Sequence, residues 1–161
     1  MIRSATTADA KQLADLYNYY IRHTLITFEE VELRDEDFVE RIQKIQANYP
    51  FLVFEEQGEI LGFAYGNKWR ERSAYRFALE SSVYVRQGHF GKKIGVSLYH
   101  ELFRLLKEQG CKQIIGVITL PNDTSVKMHE KMGFVKAAHF HQVGFKFNTW
   151  CDVGFWQRPC E

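Results

Sequence analysis

Cysteine, proline and long apolar runs are all scarce in this chain, and each scarcity removes a class of protein. The three cysteines, Cys111, Cys151 and Cys160, are odd in number and far apart, with no CxxC pair. That excludes a disulfide framework and a structural zinc site of the usual spacing, and leaves ordinary thiols. With only 3 prolines and 11 glycines in 161 residues, no linker, repeat or low-complexity tract interrupts the sequence. One domain over residues 1–161 is therefore expected. No apolar run approaches the ~18–20 residues that cross a bilayer, and the start Met1-Ile2-Arg3-Ser4 lacks a signal-like apolar segment, so a soluble, cytoplasmic protein without membrane contact is expected. Charge of one sign is missing too: 21 Lys plus Arg face 20 Asp plus Glu, net +1. Nonspecific nucleic-acid binding is not expected from that balance. The aromatic residues, 15% of the chain, have no basic clusters around them and read as core and pocket wall, not as a base-stacking platform.

What is present is a regular alternation of element types in a chain that is 45% hydrophobic and 25% charged. A short strand at Ile2 precedes a helix opened by Thr6 and Asp9, with Leu13, Leu16, Tyr17, Tyr20 and Ile21 at helical spacing. A second helix is predicted from Asp35 as its cap, with Phe38, Ile42 and Ile45 on one face, ending before Pro50. Phe51–Glu56 and a strand from Ile60 through Ala64 and onward flank Gln57-Gly58-Glu59 as an antiparallel hairpin, and a third strand runs from about Tyr75 to Val85. After a glycine-containing loop, Leu98, Leu102, Leu105 and Leu106 mark a helix that stops at Gly110. Ile114–Leu120 is a strand, Pro121-Asn122-Asp123 a turn, and Ser125–Met132 a short helix stopped by Gly133. Strands near Phe134–His141 and Asp152–Gln157 complete the chain. The fold class is α+β, a mixed and mostly antiparallel central sheet flanked by helices, with one strand–helix–strand unit at about Ser81–Leu120. The loop at the end of that unit's first strand offers free N–H groups and a positive helix end to a phosphate.

Three segments carry chemistry: Glu80-Ser81-Ser82-Val83-Tyr84-Val85, the loop Arg86–Gly95, and Leu120-Pro121-Asn122-Asp123 with Met128-His129-Glu130. Together with Trp69-Arg70-Glu71-Arg72 and Asp152-Val153-Gly154-Phe155-Trp156-Gln157, they resemble the GNAT superfamily of acetyl-CoA-dependent N-acetyltransferases. The narrower resemblance is to its phosphinothricin, methionine sulfoximine and methionine sulfone acetyltransferases, and it spans nearly the whole chain. It implies the GNAT acyl-CoA N-acyltransferase fold, acetyl-CoA as co-substrate, no metal, a homodimer, and direct transfer to the α-amine of a small amino-acid analogue.

Residue by residue, the resemblance implies Glu80 as general base and His129, where many members carry tyrosine, as a partner of the CoA sulfur that either donates a proton or only binds. Because the superfamily parts two strands here, the backbone N–H groups of Val83, Tyr84 and Val85 are expected at the acetyl group and pantetheine arm. Gly91, Lys92, Lys93, Ile94, Gly95 and Val96 are expected to cradle the pyrophosphate, with Asn122 and Ser125 on the arm. The family's loop carries Gln or Arg where Phe90 stands and glycine where Lys93 stands. Lys93 must therefore tolerate a backbone geometry that glycine accepts more easily. For the acceptor, an amino-acid carboxylate calls for bidentate arginines. Arg70 and Arg72, two apart in an extended chain, face one way, and Phe28, Glu29 and Tyr75 are expected to close the pocket. Lys146 and Asn148, in a loop Gly144–Asn148, are expected to reach a partner's site. Cys151, where close relatives carry histidine, has no assigned role. His139 and His141 alternate on one strand face, an arrangement able to hold a metal, but the sequence offers no third ligand. The rival readings are an acetyltransferase of polyamines, which the two arginines disfavour, or of protein N-termini, and a non-catalytic acyl-CoA-sensing module.

Overall fold

The computed structural model describes all residues from Met1 to Glu161. Its elements run β1 (Ile2–Ser4), α1 (Ala10–His23), α2 (Asp35–Gln46), β2 (Phe51–Glu56), β3 (Glu59–Lys68), β4 (Ala78–Val85), α3 (Ile94–Glu108), β5 (Gln113–Leu120), α4 (Asp123–Lys131), β6 (Val135–Lys146) and β7 (Thr149–Pro159). The seven strands form one sheet in the order β1-β2-β3-β4-β5-β7-β6, antiparallel throughout except for the β4–β5 pair. No helix is long and apolar enough to cross a membrane.

Each face of the sheet is closed by helices whose apolar stripes follow the 3.6-residue period. On one face α1 and α2 bury Leu13, Leu16, Tyr17, Tyr20, Ile21, Phe38, Ile42 and Ile45 against Phe51, Val53, Ile60 and Phe63. On the other, α3 buries Leu98, Leu102 and Leu106, all at 0% exposure, against Leu61, Leu79, Ile114 and Trp156. Truncating any of those three leucines to alanine costs about 2–5 kcal/mol, since a cavity is left behind.

Four expected boundaries move. The cap of α2 is Arg34, not Asp35, because the Asp37 carboxylate accepts the Arg34 N–H at 2.8 Å and closes the box one residue earlier. The strand expected from Tyr75 begins at Ala78, since Ser73–Tyr75 coil into a 3-10 turn held by Tyr75 N–H on the Arg72 carbonyl. The short fourth helix starts at Asp123, because the Asn122 side chain accepts the Ser125 N–H at 3.1 Å. The expected loop Gly144–Asn148 is instead the end of β6 and a two-residue hairpin turn: Lys146 pairs with Thr149, and Phe147 and Asn148 both take positive φ.

Candidate active site

Parallel pairing between β4 and β5 covers only Ala78–Ser81 against Gln113–Gly116, yet β4 runs on to Val85 and β5 to Leu120. Beyond Ser81 and Gly116 the two strands part, and a cleft of ≈ 410 Å³ opens between them. Strand alternation decides which main-chain groups face it. Arg86 N–H donates to Leu61 on β3, while the Phe77 carbonyl accepts from Lys112 ahead of β5. Even-numbered residues of β4 are thereby turned toward β3 and odd-numbered ones toward the opening. Tyr84 pairs with Phe63, so its N–H is spent on the sheet. At Val85 the Tyr20 hydroxyl donates to the carbonyl and lies 3.4 Å from the N–H. Val83 alone of the three faces the cleft without a strand or side-chain partner.

Glu80 stands half-buried in the cleft wall, and that burial pushes its carboxyl above the usual range, with the Arg70 guanidinium pulling the other way. Opposite, His129 is only 4% exposed. Its Nδ1–H donates to the Ser125 carbonyl one helical turn back at 2.8 Å, and its Nε2 faces the Tyr99 hydroxyl at 3.4 Å. A carbonyl only accepts, so this bond selects the tautomer and leaves Nε2 as an acceptor. Burial lowers the imidazole's pKa and keeps the ring neutral. Gly116 is required beside it: a Cβ there would meet the ring at 2.8 Å.

Phe28 and Thr27 form the opposite lip, with Val143 of β6. A buried lysine holds that lip. Lys146, 1% exposed, donates to the carbonyls of Thr24 and Thr27, each at 2.8 Å, and the Phe28 ring packs so closely on Gly144 that a Cβ would sit 2.3 Å from it.

The sequence-predicted residues divide accordingly. Phe28, Glu80, Val83, Tyr84, Asn122, Ser125 and His129 meet around one cleft. Val85 leads from it into the loop before α3, where Gly91 has φ +82° and Lys93 takes the left-handed conformation (φ +61°) that caps the helix. Ile94, Gly95 and Val96 form the first turn of α3, whose N–H groups have no carbonyl within the helix to donate to. Lys92 and Lys93 are exposed beside them. Five other residues stand outside the cleft lining. Glu29 is committed to Tyr17 and to a bidentate pair with Arg41 at 2.6 and 3.0 Å. Arg70, Arg72 and Tyr75 lie on the exposed connection after β3, which coils instead of extending, so alternation does not align the arginines. Arg70 stacks on Trp69, 4.4 Å from the ring centroid. Lys146 packs within its own chain.

Sequence reasoning missed Tyr99, Gly116, Tyr20 and Val143 as parts of this region. Gly116 carried a signal, since a glycine inside the apolar run Ile114–Leu120 marks a close approach. Tyr99 was hidden in the stripe of α3, and Val143 depends on a bulge between Phe140 and Gly144 that no periodicity announces.

Comparison with known proteins gives the family. Residues 2–154 match the family model described as an acetyltransferase (GNAT) domain. The phosphinothricin N-acetyltransferase of Streptomyces viridochromogenes is 38% identical over 99% of this chain and 87% of its own length. The L-methionine sulfoximine/L-methionine sulfone acetyltransferase of Salmonella typhimurium is 33% identical over 97% and 92%. A Salmonella typhimurium acetyltransferase solved with its cofactor acetyl-CoA superposes with TM-score 0.96 at 31% identity, covering 100% of this chain and 94% of the other. The chain belongs to the GNAT family of N-acetyltransferases.

Proposed function

We propose that the protein binds acetyl-CoA first and passes the acetyl group directly to the α-amine of a small amino-acid analogue of the phosphinothricin, methionine sulfoximine or methionine sulfone type. The observation that carries this is the parted β4–β5 pair, with a free backbone N–H at Val83 and a desolvated carboxylate at Glu80 on one strand. Acetyl-CoA supplies an activated thioester: the neutral amine adds to its carbonyl, the tetrahedral oxyanion collapses with cleavage of the C–S bond, and the departing CoA thiolate takes its proton from water in the open cleft. The chain has groups suited to it: a helix N-terminus after a glycine-containing loop for the pyrophosphate, formed by Gly91, Lys92, Lys93, Ile94, Gly95 and Val96, and Asn122 and Ser125 at the cleft for the arm.

Glu80 accepts the proton of the acceptor's ammonium, and a carboxyl raised by burial is better matched to that task than an exposed one. The Val83 N–H is aimed at the oxygen on which charge develops. His129, neutral and with Nδ1–H already engaged, binds and orders the cleft floor through Nε2 and Tyr99 instead of delivering a proton. Arg70, Arg72 and Tyr75 stand outside the cleft lining and meet only the part of the acceptor that projects beyond it: Arg70, whose charge reaches Glu80, and Arg72 on the same connection take its carboxylate, while Phe28 walls the cleft itself. Glu29 shapes the pocket indirectly, by anchoring Tyr17 and Arg41 behind the Thr27–Phe28 lip. The reading includes a cytoplasmic homodimer built from one N-acetyltransferase domain per chain.

A thiol-release assay with acetyl-CoA tests it, run against phosphinothricin, methionine sulfoximine, methionine sulfone, polyamines and N-terminal peptides, with mass detection of the product. Turnover on the sulfone or phosphinic amino acids, with acceptor KM raised in Arg72→Ala, is the expected outcome. Intact CoA binding with no acetylated amine points instead to a sensing module.

A further inference from the structure

The β6–β7 hairpin carries a cluster that acetyl transfer does not use. His139 and His141 stand on one face of β6, ring centroids 4.4 Å apart and planes 24° from parallel. Across the ladder, Asp152 of β7 turns one carboxylate oxygen, Oδ2, to both of them: 2.8 Å from His139 Nε2 and 3.1 Å from His141 Nδ1. Its other oxygen accepts the Gln142 N–H at 2.9 Å, so the bulge between Phe140 and Gly144, which includes His141, orients the carboxylate. One ligand atom from each of the three residues lies within 4.8 Å of the others.

We propose that His139, His141 and Asp152 bind a divalent transition-metal ion of the zinc type, on the outer hairpin and apart from the acetyl-transfer cleft. Two imidazoles and one carboxylate form a borderline donor set that suits zinc, copper and nickel, whereas magnesium and calcium call for oxygen ligands. Metal–ligand bonds of ~2.0–2.2 Å around a tetrahedral ion place neighbouring ligand atoms roughly 3.3 Å apart. The two His–Asp separations need only open slightly to admit the ion. With 79% of the His141 side chain exposed, water reaches the remaining coordination position.

One neighbour opposes the ion. Lys136 Nζ lies 3.1 Å from His139 Nδ1. An ammonium only donates, so Nδ1 accepts and the ring's proton sits on Nε2, toward Asp152. Metal at Nε2 requires that proton to move to Nδ1, which in turn requires Lys136 to leave. The Trp156 ring, with its centroid 5.4 Å from the same ammonium, offers Lys136 another seat.

The test is calorimetric titration of the full-length, tag-free, chelator-treated chain with zinc, copper(II) and magnesium chlorides. Expected are one equivalent of zinc bound, copper bound more tightly, and no magnesium heat. His141→Ala, on a solvent-facing side chain, and Asp152→Asn each weaken zinc roughly tenfold or more. Lys136→Ala strengthens it, and circular dichroism of each variant stays that of the parent. A cobalt(II) spectrum without a thiolate charge-transfer band excludes Cys111, Cys151 and Cys160 as the ligands. Absence of zinc binding, equal binding by His141→Ala, or a thiolate band overturns the proposal.

Discussion

At the scale of single residues, two backbone or carboxylate environments dominate. Glu80 is the titrating group of the cleft, and burial raises its folded pKa above the ordinary 4.5. Only the ionised carboxylate accepts a proton, so kcat/KM should rise with pH through that elevated value. In Glu80→Gln this limb should vanish and turnover fall by about 10²–10⁴ with acetyl-CoA binding unchanged, measured as pH–rate profiles beside a CoA titration. An unaltered limb in the variant would remove Glu80 from the role of base. Lys93 is the second case. Its φ of +61° carries a steric cost that glycine does not pay. Lys93→Gly should therefore stabilise the fold by about 0.5–1 kcal/mol in urea titrations, the relief being partly offset by the greater freedom of glycine in the unfolded chain.

Among the elements, the decisive relation is between the segment after α1 and the end of β6. Lys146 bridges them with two bonds from one buried ammonium, and desolvation lowers its pKa because the charge has been taken from water. Methionine at this position removes the charge and leaves the Thr24 and Thr27 carbonyls without their donor. The stability change should be modest, since the lost bonds and the relieved desolvation oppose each other. The lip should loosen, however. Steady-state kinetics of Lys146→Met should show acceptor KM rising severalfold with acetyl-CoA KM unchanged; equal rises in both would mean a general loss of fold. The same contact explains why the resemblance-based expectation for Lys146 shifted: its partners are 119 and 122 residues away in the same chain, beyond the reach of any local pattern.

For the whole molecule, β6 is an edge strand, and the β6–β7 hairpin exposes Phe140, Val143, Phe145, Phe147 and Trp150, each 50–61% accessible. A row of this kind beside a sheet edge is costly to leave in water. The proposed homodimer should sediment at twice 19.0 kDa, and Trp150→Glu should return it to the monomer mass. A parent chain that sediments as a monomer at high micromolar concentration would reject this assembly.

Periodicity and turn signals determined the element order, a sheet flanked by helices and the strand–helix–strand unit, because apolar spacing reports locally on which side is buried. The family resemblance carried by the sequence motifs grouped Glu80, Val83, Asn122 and His129 in one site. Tertiary structure decided what depends on distant pairing. The end of the β4–β5 ladder at Ser81 and Gly116 determines which amide is free. The His129 tautomer depends on a carbonyl one turn away and on burial. The coil after β3 leaves Arg70 and Arg72 outside the cleft, and the β6 bulge brings Asp152 to two histidines as the third ligand atom that the sequence did not reveal. Each of these is a matter of register and approach between segments far apart in the chain, where a shift of one residue turns every side chain to the other face.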